Sequence, residues 1–345
     1  MKKYLQLYNQ LREQIASGEF TPEMHLPTEN EIASLHGISR QTVRQALDLL
    51  RRDGYIYSVQ GSGTYVSAQT KDSPTNKRIA VITTYFSEYI FPSILRGISN
   101  AAVEKGYAME ISATNNSIST EKMILANILQ HPVSGIIAEG TKSALPNPNT
   151  TFYRQLAEQR IPIVFFNSIY PDLNNEHIVS VVTDDFRGGY ENASNLIAQG
   201  HKKIGCIFKS DDAQGINRFS GVISALADNS VDYDDSNFFW FSTETKYTLT
   251  ATLSASNLFS NCTAVICYND EIATMLFSYM KSNSHSIRSV ASFDHNINQD
   301  LIPQGVTFSS LWHPKDALGR AAACKLFNML AGKPESSSVL GWSEP

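Results

Sequence analysis

Two short helices and a β-hairpin in the first 67 residues, then repeated alternation of apolar runs with amphipathic stretches, predict an α/β protein. Its expected form is a two-lobed body of parallel, doubly wound sheets carrying an N-terminal winged helix-turn-helix. The 345 residues suffice for two domains or three subdomains. The boundaries expected are a head over 1–67, a small, polar, proline-containing linker over 68–77, and a body over 78–345.

The head reads element by element. From Lys3 to Ser17, Tyr4, Leu7, Tyr8, Leu11 and Ile15 recur at three- and four-residue steps and share one helical face, which Gly18 ends. Thr28 opens a second helix, and Glu31 three places on completes a capping box. Ile32 and Leu35 are expected to face inward, and Gly37 supplies the turn. Ser39 caps a third helix whose buried stripe is Val43, Ala46, Leu47 and Leu50. Arg40, Gln41, Arg44 and Gln45 are left pointing outward. Arg40 sits in the first turn, where free backbone N–H groups favour a phosphate. Arg44 lies one turn deeper on the same face, within reach of guanine O6 and N7. A bidentate pair of that kind discriminates by roughly 1–3 kcal/mol. Beyond Gly54, Tyr55–Val59 and Thr64–Val66 are β-rich. Gln60-Gly61-Ser62-Gly63 between them is a turn, so Gln60 is at the tip of a wing.

These residues carry a resemblance. Pro27-Thr28-Glu29-Asn30-Glu31-Ile32, Ile38-Ser39-Arg40-Gln41-Thr42-Val43-Arg44, Asp53-Gly54-Tyr55-Ile56 and Gly61-Ser62-Gly63-Thr64-Tyr65-Val66 resemble the GntR family of bacterial transcription regulators. The resemblance implies contacts to double-stranded operator DNA from Ser39, Arg40, Thr42, Arg44 and the wing, Gln60, Gly61 and Gly63 included. Gln41 shares the exposed face, and Lys3 is expected to touch the DNA backbone. Exposed Arg and Gln on a helix are ordinarily only solvated; the surrounding pattern points this set toward DNA. The head has seven Lys/Arg against seven Asp/Glu over residues 1–70. Binding must therefore rest on clustering, with strong salt sensitivity.

Composition narrows the rest. The net charge of −5 falls wholly on the part after the head, with 21 Lys/Arg against 26 Asp/Glu, as in an ordinary soluble globule. The start, Met1-Lys2-Lys3-Tyr4, turns polar at once, unlike a signal peptide. No apolar run approaches the ~20 residues that span a bilayer, so a cytoplasmic protein without membrane partners is expected. The four cysteines, Cys206, Cys262, Cys267 and Cys324, lack Cys-x-x-Cys spacing and read as buried reduced thiols. The eight histidines show no paired metal spacing; no metal or cofactor is expected.

In the body, strands are expected over 78–84, 107–114, 133–139, 161–167, 204–209, 264–268 and 290–294, with a further run ending at Asp184-Asp185. Helices are expected over 94–105, 121–130, 188–199, 216–227, 271–281 and 314–331. Ligands in such sheets bind beyond the carboxyl ends of the strands. Polar and aromatic residues gather there: Thr83 to Phe86, Glu139 with Thr141 and Lys142, Asn167-Ser168, Lys209-Ser210-Asp211, Tyr268-Asn269-Asp270 and Phe293-Asp294-His295. Planar polar groups beside aromatic faces suit a sugar. Blander roles stand beside this: Asp270 and Glu271 as helix-opening charges, Asp294 as a turn or cap, Arg218 as a snorkelling side chain, and Tyr85, Phe86 and Tyr89 as core aromatics.

Asp184-Asp185-Phe186-Arg187-Gly188-Gly189, Gly200-His201-Lys202-Lys203-Ile204-Gly205, Asn217-Arg218-Phe219-Ser220-Gly221, Tyr268-Asn269-Asp270-Glu271, Ser292-Phe293-Asp294 and His313-Pro314-Lys315 resemble the LacI/GalR effector domain, itself similar to periplasmic sugar-binding proteins. The resemblance implies effector contacts from Arg218, from Asn269 or Asp270, and from Asp294. The expected ligand set is Tyr85, Tyr89, Glu139, Asn167, Asp185, Arg218, Asn269, Asp294 and His313. A GntR-type head on a LacI-type body is an uncommon pairing. It resembles the arabinose-responsive repressors of Gram-positive bacteria, through Tyr89-Ile90-Phe91-Pro92-Ser93-Ile94 and Cys267-Tyr268-Asn269-Asp270-Glu271-Ile272-Ala273 among others. That implies a homodimer on a near-palindromic operator, released by L-arabinose. The chain stops at Gly341-Trp342-Ser343-Glu344-Pro345, where such proteins usually continue, and the pairing of a last strand stays open.

Two other functions bear on these residues. Asp184 and Asp185 invite a glycosidase reading, but neighbours in an extended strand point to opposite faces. Gly61-Ser62-Gly63 is no dinucleotide loop, and no Gly-x-Ser-x-Gly elbow or P-loop is present, so no catalytic residues and no enzyme are expected. A regulator answering another pentose, a purine or a sugar phosphate is the alternative; few basic residues at the strand ends argue against the phosphate.

Overall fold

The computed structural model describes residues 3–59, 61–67, 77–256 and 258–342. Gln60 and the expected linker, apart from Lys77, lie outside the described residues.

The head contains α1 (Lys3–Ala16), α2 (Glu29–His36), α3 (Arg40–Arg52), β1 (Ile56–Val59) and β2 (Gly63–Val66). Thr28 and Glu31 form the reciprocal capping box, and Gly37 ends α2 in the left-handed conformation at φ 60°. Ser39 Oγ accepts from Thr42 N at 3.2 Å and starts α3. Leu7, Tyr8, Leu11 and Ile15 of α1 pack against Ile32, Val43, Ala46, Leu47 and Leu50, with Tyr55, Ile56 and Val66 closing the core. One expectation fails: Leu35 is 78% exposed. The eight-residue α2 buries only Ile32 fully. Ala33 and, beyond the turn, Ile38 pack beside it against the head core. β1 and β2 pair antiparallel, Ile56 opposite Val66 and Val59 opposite Gly63, and form the wing.

The body has two lobes. The first sheet runs in the order β13-β7-β6-β5-β3-β4. It comprises β3 (Arg78–Thr83), β4 (Ala108–Ala113), β5 (Gly135–Glu139), β6 (Ile163–Phe166), β7 (Ile178–Thr183) and β13 (Ser338–Leu340). Its helices are α4 (Phe91–Glu104), α5 (Ile118–Gln130), α6 (Thr150–Glu158) and α11 (Lys315–Leu330). The second sheet runs β12-β11-β10-β8-β9: β8 (Ile204–Lys209), β9 (Phe238–Phe241), β10 (Ala264–Cys267), β11 (Ser289–Phe293) and β12 (Thr307–Leu311). Its helices are α7 (Asp185–Ala198), α8 (Ala213–Asp228), α9 (Leu249–Ala255) and α10 (Asp270–Ser282). Every pairing within these two sheets is parallel. Central strands such as β5, β6, β8 and β10 are buried along their whole length, which is why they read as unbroken apolar runs.

The chain changes lobe after β7 and again after β12, and past β13 Trp342 packs against the core of the second lobe. Strands β7 and β13 share one edge of the first sheet and β12 is an edge of the second, so the crossings fall on one side of the molecule. A Cβ added at Gly189 would stand 1.9 Å from Arg218 O, and one at Gly221 1.9 Å from Phe186 O. Only glycine lets α7 and α8 approach this closely, and that approach fixes where Arg218 points.

The structure adds elements absent from the sequence reading: α6, α9, β9, β12 and β13. β13 pairs with β7, so the last strand is held in the first sheet. Asp184 and Asp185 are not in a strand: Asp184 caps α7 and Asp185 is its first residue. Cys206, Cys262 and Cys267 are buried, whereas Cys324 is exposed on α11, whose sheet-facing stripe of Ala322, Ala323 and Leu326 leaves it on the other side.

Candidate functional site

Arg40, Gln41, Arg44 and Gln45 are exposed on α3, with Ser39 exposed and Thr42 half-buried at its start. Arg44 is not free. Its Nη2 lies 2.9 Å and its Nε 3.2 Å from the two carboxylate oxygens of Glu29 on α2, a fork-to-fork pair. Arg44 holds the Glu29 carboxyl below its ordinary range. Arg51 is tied to Asp48 at 2.6 Å and to Ser58 of the wing at 3.0 Å. The wing turn is built on Gly61 (φ 78°) and Gly63 (φ 125°), and a Cβ at Gly63 would meet His25 Nε2 at 2.0 Å. Tyr57 and Tyr65 stack on the wing at 5.7 Å. Lys3 is the first residue of α1.

Between the carboxyl ends of the two body sheets lies a cleft of about 450 Å³. Seven of the nine expected ligand residues line it: Tyr85, Tyr89, Glu139 and Asn167 from the first lobe, Arg218, Asn269 and Asp294 from the second. Glu139 is buried and accepts from Thr84 N at 2.8 Å and Asn167 Nδ2 at 2.6 Å. Burial raises its carboxyl above the ordinary range, against those bonds. Asn167 Oδ1 and Asp294 Oδ1 are buried without a hydrogen-bond partner among the described residues. Tyr89 crosses between lobes: its hydroxyl donates to Asp294 Oδ2 at 2.7 Å and accepts from Asp270 N at 3.1 Å. Tyr89 (φ 58°), Asn167 (φ 60°) and Asp294 (φ 92°) all hold left-handed backbone, a strain that clusters at functional sites.

Arg218 is buried at the floor of the cleft. Its Nε donates to Asp185 Oδ1 at 2.8 Å and its Nη1 to Tyr268 O at 2.6 Å, while Nη2 lies 3.9 Å from Asp294 Oδ1. The guanidinium also faces the rings of Phe293 (4.4 Å), Trp342 (4.9 Å) and Tyr268 (5.1 Å). Burial alone would lower Arg218, but the two carboxylates outweigh it and raise its pKa. Burial pushes Asp185 up to about 6 despite the pull of Arg218. Asp185 therefore stands behind Arg218 rather than in the cleft. His313 is also behind it, at the crossing after β12, edge-on to Trp342 at 5.5 Å. Neither ring nitrogen of His313 has a partner among the described residues, and burial lowers it to about 4. Trp342 Nε1 donates to Asp184 O at 2.8 Å, tying the segment after β13 to the first crossing. Asn269 caps α10 through Ile272 N at 3.0 Å. Its neighbour Asp270 points away, accepting from Asn296 N at 2.5 Å and Ser310 Oγ at 2.7 Å.

Lys209 and Tyr268, named at the strand ends but outside the expected ligand set, also line the cleft, as do Glu271, read as a helix-opening charge, and Asp212 and Lys246, which no sequence pattern singled out. Lys209, a charge ending a wholly apolar strand, was the available signal; Lys246 lay in a stretch without periodicity. The cleft's cations are paired: Lys209 with Asp212 at 2.7 Å, Lys246 with Glu271 at 2.7 Å, and Arg218 as above. Among the described residues no cluster of three or more His, Cys, Asp or Glu side chains is placed as a metal would need.

A winged helix-turn-helix head on a two-lobed, cleft-bearing body defines the class, a ligand-responsive transcription regulator. The family described as bacterial regulatory proteins, gntR family, matches residues 3–66, and the periplasmic binding protein domain matches 79–334. The chain is 37% identical over 338 residues to the arabinose metabolism transcriptional repressor of Geobacillus stearothermophilus, covering 96% of this chain and 92% of that one. It is 32% identical over 351 residues to the repressor of the same name from Halalkalibacterium halodurans, covering 98% and 92%. The body shares its fold with a periplasmic binding protein/LacI transcriptional regulator from Alkaliphilus metalliredigens complexed with D-xylulofuranose. There the TM-score is 0.64 at 20% identity, covering 77% of this chain and 96% of that one. The chain belongs to the family of GntR-headed arabinose metabolism transcriptional repressors, which are regulators and not enzymes.

Proposed function

We propose that this repressor binds operator DNA in the cytoplasm as a homodimer and is released when L-arabinose occupies the cleft. The observation that carries the sugar reading is the pair of buried acceptors, Asn167 Oδ1 on one lobe and Asp294 Oδ1 on the other. A buried acceptor without a partner costs about 1–3 kcal/mol. A polyol that donates one hydroxyl to each recovers this only when both lobes are close, so binding favours closure. The paired state of Lys209, Arg218 and Lys246 supports an uncharged ligand over a phosphorylated one. The names of the two relatives support arabinose, and the D-xylulofuranose bound to the Alkaliphilus protein supports a pentose-sized sugar. One head offers one recognition helix, so a near-palindromic operator calls for two copies. Among the described residues no helix is long and apolar enough to cross a membrane.

The mechanism is thermodynamic. A sugar shifts the lobes only by its differential affinity for the two forms. The closed form would then space the heads wrongly for the operator. A cleft of about 450 Å³ also has room beyond one pentose ring, so another sugar is the second reading. Calorimetry of the full chain against L-arabinose, other pentoses, a disaccharide, a purine nucleoside and a sugar phosphate decides between them. L-Arabinose is expected to bind tightest and to weaken a mobility shift of promoter DNA. Binding of L-arabinose that leaves the shift unchanged would remove the mechanism.

A further inference from the structure

The chain crossings occupy one side of the body, beside β7, β13 and β12. The opposite side carries a separate set of contacts between lobes, made by residues that follow β4 and β5 in one sheet and β8 and β9 in the other. Asn116 Nδ2 reaches Thr243 Oγ1 at 2.5 Å and Asp211 Oδ2 at 3.4 Å. Ala144 N donates to Asp211 O at 3.4 Å, and Ala213 N to Ser143 Oγ at 3.0 Å. Lys142 Nζ pairs with Glu244 and lies 3.9 Å from Asp211. We propose that Asn116 and Lys142, with Asp211, Thr243 and Glu244, form a clasp that holds the lobes shut and sets the sugar concentration at which the repressor responds.

Three features argue for a built device. First, lobes that open about the crossings separate most at the far edge, so bonds there weigh most heavily on closure. Second, the first-lobe half is rigid. Asn116 Oδ1 accepts from Lys142 N at 2.7 Å, joining its two loops. Tyr170 OH accepts from Thr141 N at 2.7 Å and donates to the buried Glu121 at 2.7 Å. Glu121 is held in turn by Tyr153, Asn147 and Asn149 at 2.8–2.9 Å. Third, Asn116 (φ 54°) and Lys142 (φ 45°) both adopt left-handed backbone. For a lysine this is unfavourable and persists only where surrounding contacts over-determine it. On the second lobe, Asp211 Oδ2 accepts from Thr243 N at 3.1 Å and Thr243 Oγ1 at 2.7 Å, presenting both residues to Asn116.

The clasp rests on the reading that ligand acts by lobe closure, and its test is independent of which ligand that is. Spin labels on cysteines replacing the exposed Met123 and Tyr233, one on each lobe, in a Cys324→Ser background, report the interlobe distance in the full-length, ligand-free chain. The parent is expected to populate a short distance beside a longer one, and L-arabinose to enlarge the short-distance population. Asn116→Ala and Glu244→Gln should each shift population to a longer one and weaken L-arabinose binding, by about tenfold for Asn116→Ala and less for the exposed pair. Exchange of charge, Lys142→Glu with Glu244→Lys, should recover part of the loss. Should Asn116→Ala fail to fold, Glu244→Gln still decides, since Glu244 is 61% exposed. A parent that is already wide open, or variants that leave the distance unchanged, overturns the clasp. A short-distance population in the parent that the variants lose, while L-arabinose fails to bind, upholds the clasp and sinks the arabinose reading instead.

Discussion

Arg218 shows how much one side chain can decide. It joins Asp185 to the cleft floor and is packed among three aromatic rings. Arg218→Met leaves Asp185 buried without its cation, and removing one partner of such a pair costs about 3–5 kcal/mol. Denaturant unfolding of the full chain should show that loss, and calorimetry a loss of sugar binding. Asn167→Ala removes the acceptor, takes the 2.6 Å donor from the buried Glu139 and places alanine at φ 60°, so sugar binding should weaken and unfolding free energy fall by about 1–3 kcal/mol. His313 gives a pH signature. Its folded value of about 4 lies below the ordinary 6.5, so the native state favours the neutral ring. Its stabilising share is complete above about pH 6.5 and is lost as pH falls toward 4, up to about 3 kcal/mol. His313→Gln should flatten the fall in unfolding free energy over that window; an unchanged slope would show that His313 does not supply it.

At the scale of elements, the recognition helix was legible because its capping serine, buried stripe and exposed arginines are all local. The Glu29 partner of Arg44 was not, since it joins two helices across the turn. DNA must displace Glu29 to engage Arg44. Glu29→Gln should therefore raise operator affinity by about two- to fivefold with stability nearly unchanged, as expected for an exposed pair. Arg40→Gln should weaken binding across all sequences and lessen the salt slope by about one per head. Fluorescence anisotropy over a salt series distinguishes the two variants. Leu35 marks a limit of periodicity: spacing places it near Ile32, but a helix of two turns has too little core beneath it to bury both. The edge strands β9, β12 and β13 were missed for a related reason. β12 and β13 lack the continuous apolar run that announced β5, β6, β8 and β10, whereas β9, Phe238–Phe241, is an unbroken aromatic run of only four residues that the alternation of strands and helices did not single out.

At the scale of the molecule, the proposed release requires sugar and operator to oppose each other equally. If L-arabinose weakens operator binding by a given factor, operator weakens L-arabinose binding by the same factor. Titrating sugar into free and operator-bound protein checks this; unequal factors would show that the sugar acts through a third state. The strand-end rule located the cleft because parallel sheets place all their carboxyl ends on one side, and seven of nine expected residues meet there. Asp185 and His313 are set back from it, since the crossings they belong to are packed under Arg218 rather than open to ligand.

What the amino-acid order determined alone was everything that depends on neighbours along the chain. That includes the capped helices, the wing turn, the buried strands, and the resemblance of head and body to known regulators. Tertiary structure alone decided which distant side chains meet, in the head as well as between the lobes. Glu29 with Arg44, Tyr89 with Asp294, Asn116 with Thr243 and Asp211, and Trp342 beneath Arg218 are 15 to 205 residues apart in sequence. No periodicity connects such pairs. Those between the lobes come together because two sheets, joined by crossings on one side, bring their strand ends face to face.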